Sequence, residues 1–144
     1  MEETGPIELG SFPLVIYGAM FGGTIAGQFI GFGLDAAMGR RVVWVPIACS
    51  AVLEALVGAR FAASRVERAM TVGDWGRLSA YYSVALALFS VPLALWTAAS
   101  RSPQAPFGAG GNPASILALG AGVLVGVTLL RWGLLTLFAP RRAG

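Results

Sequence analysis

Two ionisable residues lie where charge is expensive. Glu54 and Arg131 each fall inside a long apolar run, and each stands seven residues before that run's last aromatic residue, Phe61 or Phe138. In hydrocarbon an ionised side chain is penalised by several kcal/mol unless it is paired or reaches water. If the two runs are helices crossing in the same direction, both charges sit about 10 Å inside the same face. That placement predicts an interhelical Glu54–Arg131 ion pair. Two other readings remain open. Arg131 can snorkel to the headgroups while Glu54 stays neutral or bonds Arg60, or the two can form a transport or proton site.

Gln28, with Thr24 one turn before it, is the next polar feature. It lies at about the level of Ser50, so an interhelical Gln28–Ser50 hydrogen bond is expected, with a substrate contact as the alternative. The remaining inventory argues against catalysis. The chain has no histidine and a single cysteine, Cys49, inside an apolar run. This leaves no imidazole for haem, zinc or general-base work and no cysteine pair. Phosphate-cradling loops and nucleophile elbows are absent too. No catalytic residue, metal ligand or cofactor-binding residue is therefore expected, and the enzyme class ranks last, with Glu67 and Asp74 as its loop acids.

These residues need elements to hold them. Hydrophobic residues make up 56% of the 144 and charged residues 12%, with a mean hydropathy of +0.74. A soluble domain this small could not hide so much apolar surface. Four runs approach or exceed the roughly 20 residues that cross a bilayer: 12–34, 42–61, 78–99 and 114–138. None alternates with a strand's period of two, and lipid offers the backbone no partners, so each is read as a helix. The expected fold is all-α, a single integral membrane bundle of four transmembrane helices. The acidic start and the length of the first run predict a retained span rather than a signal peptide.

The connections fit this division. Residues 35–41 form a tight turn, Thr71 and Asp74 are spaced to cap the third helix, and 100–113 is rich in proline and glycine. Pro92 is expected to kink the third helix. Trp44, Trp75, Trp96 and Trp132 fall near run ends, the level indole prefers. All ten basic residues are arginine. Seven belong to the side of the second connection and the C-terminus and three to the other, which predicts both termini in the cytoplasm. Arginines scattered between apolar runs, rather than along one face, argue against a nucleic-acid partner.

Small residues recur with helical spacing. Gly23, Gly27 and Gly31 follow Ala19 at intervals of four, Gly18 and Gly22 form a parallel row, and Gly122 and Gly126 continue a row from Ala114 and Ala118. Such rows let helix backbones approach closely. Gly18, Gly22, Gly23, Gly27, Gly31, Gly122 and Gly126 are accordingly expected at helix contacts, within this chain or with another.

The stretch Gly58-Ala59-Arg60-Phe61, followed by Arg65, Arg68, Asp74 and Arg77-Leu78-Ser79, resembles a group of small bacterial inner-membrane proteins with four predicted spans. Asp74 stands where glutamate is more usual in that group. The resemblance implies a four-helix architecture and a bacterial inner-membrane setting, and it implies no activity. The functional expectation is a non-catalytic accessory or assembly subunit of a larger membrane complex, for instance a respiratory or photosynthetic one. Its partners are lipid and other transmembrane subunits or copies of itself. The alternative is a small oligomeric transporter or channel using Glu54, Arg131 and Gln28.

Overall fold

The computed structural model describes residues 12–39, 42, 44–66, 68–101 and 113–140. They form four α-helices and, among the described residues, no strand: α1 (Leu14–Ala37), α2 (Trp44–Arg65), α3 (Val72–Arg101) and α4 (Pro113–Phe138). Among the described residues, three segments are long and apolar enough to cross a membrane: Leu14–Ala37, Trp44–Arg65 and Gly120–Phe138.

Local chemistry sets the boundaries. The amide of Ile16 donates to the carbonyl of Pro13 at the start of α1. At its end Gly39 takes a φ of +65°, a left-handed turn that glycine enters without a Cβ penalty. The Asp35 carboxylate then accepts the Val42 amide at 2.8 Å, closing the connection to α2. Pro46 sits in the first turn of α2, where its missing amide has no helical partner to lose. Thr71 and Asp74 bond reciprocally: Asp74 Oδ2 accepts the Thr71 amide at 2.9 Å, and Thr71 Oγ1 accepts the Asp74 amide at 3.2 Å. This cap starts α3 at Val72, ahead of the apolar run expected from 78, because hydrogen bonding rather than hydropathy begins the helix. α3 continues as one helix through Pro92.

Consecutive helices run antiparallel, so α2 and α4 are parallel. The closest packing joins α1 to α2. A Cβ on Gly23 would lie 2.9 Å from the Leu53 carbonyl oxygen, and one on Gly27 would lie 2.6 Å from the Cys49 oxygen. One on Gly31 would collide with the Cα of Pro46. These three glycines form a seam in which backbone meets backbone. Gly18 and Gly22 do not join it, since a 100° step per residue turns them off the α2-facing side, and among the described residues they face open space. Gly122 and Gly126 likewise touch no described residue, because α4 is exposed from 120 to 127 and becomes buried only at Arg131 and Leu135.

The core lies at the end of the bundle near the α2–α3 connection. Ile16, Met20, Ala55, Ala59, Ala62, Trp75, Leu78, Tyr82 and Leu135 cluster there with Phe12. Trp75, expected at an interface, is buried within this cluster, whereas Trp44 and Trp96 are exposed. The Trp132 indole nitrogen donates to the Val72 carbonyl at 2.9 Å and Ser79 Oγ to the Thr128 carbonyl at 2.7 Å, fastening α4 to α3.

Candidate functional site

The four helices converge on Glu54 and Arg131, which are 4% and 7% exposed. Glu54 lies on α2 directly behind the glycine seam, where the close approach of α1 brings Thr24 to it. Thr24 Oγ1 is 2.7 Å from Glu54 Oε2 and 3.1 Å from the Met20 carbonyl. A hydroxyl has one proton, and the shorter, charge-assisted contact assigns it to the carboxylate. Arg131 projects from α4 toward the N-terminal end of its own helix, as helical side chains do. Its Nε donates to Glu54 Oε1, with Nη2 3.5 Å from Oε2, and its Nη1 donates to Ser83 Oγ on α3. The guanidinium carbon also lies 4.8 Å from the centre of the Tyr82 ring, within cation–π range.

The charges therefore meet as an ion pair rather than as a snorkelling arginine and a separate acid. Each helix supplies part of the shell: Thr24 from α1, Glu54 from α2, Tyr82 and Ser83 from α3, Arg131 from α4. Spacing alone pointed to the pair, whereas Ser83 and Tyr82 escaped notice. Their signal was a serine and a tyrosine facing the depth of Arg131 across an antiparallel neighbour. Three guanidinium N–H groups are engaged, which leaves two of the five that arginine carries. The Tyr82 hydroxyl faces Thr24, yet it and the Tyr17 hydroxyl are buried without a hydrogen bond among the described residues. Their rings stack, with centroids 6.3 Å apart.

Among the hydrogen bonds of the described residues there is none between Gln28 and Ser50, where one was expected. Ser50 Oγ donates instead to the Thr24 carbonyl at 3.0 Å. The Ser50 backbone is pressed against Gly27, so its short side chain meets the α1 backbone before it can reach an amide one residue further along. Both residues instead border a cleft of about 150 Å³ beside the ion pair. Gln28, Ile47, Ser50, Ala51 and Glu54 line one wall, and Val127, Leu130, Arg131 and Leu134 line the other.

Asp74, 2% exposed, is held by the cap and by Arg68, whose Nη1 lies 3.0 Å from Oδ2. That gives the loop acid a structural part. Glu67, the other loop acid, lies outside the described residues, as do Arg40, Arg41, Arg141 and Arg142. Among the described residues no cluster of potential metal ligands occurs. Compared with known proteins, the chain matches no family model, no curated protein and no solved structure.

Proposed function

We propose that this chain is a four-span bacterial inner-membrane protein, with both termini in the cytoplasm, that acts as a non-catalytic accessory or assembly subunit of a larger membrane complex. One observation carries the reading: the small-residue rows of α1 and α4 are used differently. Gly23, Gly27 and Gly31 are filled by α2, while Gly122 and Gly126 on α4 meet nothing among the described residues. In lipid, helix association rests on close packing, and a flat glycine face offers a second helix that contact. The Glu54–Arg131 pair fits the same reading as a lock that fixes α4 against α2, leaving its glycine face presented outward.

The test is purification of the full chain in a mild detergent, beside Gly122→Leu and Gly126→Leu variants. At neither position would an added Cβ meet a described residue of its own chain within 4 Å. The expected outcome is a transmembrane partner in stoichiometric amount with the parent chain and its loss from both variants, which remain folded. A parent chain recovered alone, or variants that keep the partner, would end the reading.

A second reading, a small oligomeric transporter or channel, is favoured by the cleft that brings Gln28 beside the ion pair. It requires Glu54→Gln to abolish flux in liposomes while the protein stays folded.

A further inference from the structure

We infer that the cleft between α2 and α4 is a one-sided aqueous pocket within the membrane, through which water from the side of the α1–α2 turn reaches the Glu54–Arg131 pair. The inference stands on the geometry of the cleft and holds whether or not the chain docks on a partner.

Size selects the occupant. About 150 Å³ is below the volume of sites for drug-sized ligands, roughly 300 Å³ and upward. At about 30 Å³ each it admits about five waters.

Polarity selects the same occupant. A buried water needs two to four polar partners. The walls supply the Gln28 amide, which makes no hydrogen bond among the described residues, the lone pairs of Ser50 Oγ, the Glu54 carboxylate and the two uncommitted guanidinium N–H groups of Arg131. An acyl chain in the same space would leave the Gln28 amide and the two remaining guanidinium N–H groups without partners in hydrocarbon.

Access is one-sided because, among the described residues, the bundle is closed at one end only. Towards the α2–α3 connection, Met20, Gly58 and Leu135 meet directly, and Leu78 and Tyr82 pack behind them. Towards the α1–α2 turn, α4 is exposed from 120 to 127, so no described residue closes the cleft from that direction. Water thus reaches Glu54 from one compartment. Small polar solutes able to replace a few waters are the ligand class the cleft accepts.

The experiment uses the full chain in oriented vesicles, in a Cys49→Ala background, with single cysteines read by Ag⁺, a thiol reagent of water-like size. Ala51→Cys and Val127→Cys place thiols on the two walls, so the result does not hang on one variant. Val52→Cys and Leu129→Cys place them on exposed positions of the same helices outside the cleft, and Met38→Cys, exposed in the turn, marks that side. Both cleft thiols should react at least tenfold faster than the two controls, and only with Ag⁺ added on the side that modifies Met38→Cys. Rates equal to the controls would show a lipid-filled groove and overturn the inference. Equal reaction from both sides would also overturn it, by showing a through-path.

Discussion

Adding one methyl group to the glycine seam tests the architecture most directly. In Gly27→Ala the new Cβ would lie 2.6 Å from the Cys49 oxygen and the Ser50 amide nitrogen, against about 3.4 Å for an ordinary contact. Both are backbone atoms, which no side-chain rotation can move, so α1 and α2 must separate by about 0.8 Å there. Overpacking of this kind costs about 1–3 kcal/mol, and a gap of that size forfeits a quarter to a half of each dispersion contact along the seam. The Ser50–Thr24 and Thr24–Glu54 bonds cross the same gap and contribute about 0.6 kcal/mol each. Alanine's better helix propensity returns about 1 kcal/mol. The net expectation is a loss of about 2 kcal/mol. Gly22→Ala is the matched control in the same helix: its Cβ enters open space, so it should be neutral or stabilising. Reversible unfolding in bicelles, followed by steric trapping, gives both values. If Gly27→Ala is as stable as Gly22→Ala, the backbone-to-backbone seam is wrong.

Two further outcomes follow from the polar contacts. Arg131 buried without its counter-charge should destabilise Glu54→Ala by about 3–5 kcal/mol, whereas the double variant Glu54→Leu with Arg131→Met should return to within about 1 kcal/mol of the parent; unfolding in mixed micelles measures both, and a double variant as unstable as the single one would contradict an ion pair. Thr71→Ala removes the α3 cap and should lower stability by about 1 kcal/mol, with Thr71→Ser restoring most of it, as read by thermal unfolding in detergent.

The parts of this arrangement visible in the sequence are those marked by a rare residue or by a strict period. A glycine every fourth residue from 23 to 31 identified the contacting face of α1, and equal distances from two run ends put Glu54 and Arg131 at one depth. Those counts work because depth in a helix depends only on rise per residue. Rotation about the helix axis is a different quantity. Gly18 and Gly22 have the same four-residue spacing as the seam yet point elsewhere, since only the fit of α2 decides which row is used. Ser83 and Tyr82 were hidden for the same reason: α3 carries no glycine row, its buried acid Asp74 sits at the capped start rather than at the depth of Arg131, and its contact with Arg131 emerges only when α3 and α4 are docked. The residues on α4 with open surroundings show the converse case, a pattern written in the sequence that no described residue fills.

The division of partners around Glu54 has a consequence for how the protein is made. Thr24 and Glu54 belong to the hairpin of α1 and α2, complete at residue 65, whereas Arg131 follows 66 residues later. At about 5–20 residues per second the ribosome needs roughly 3–13 s to supply it. During that interval the acid has a threonine for company and no cation. In ribosome-arrested chains stopped before α4 the glutamate has no arginine to bond, so dependence on the acid at position 54 should appear only on release of the finished polypeptide.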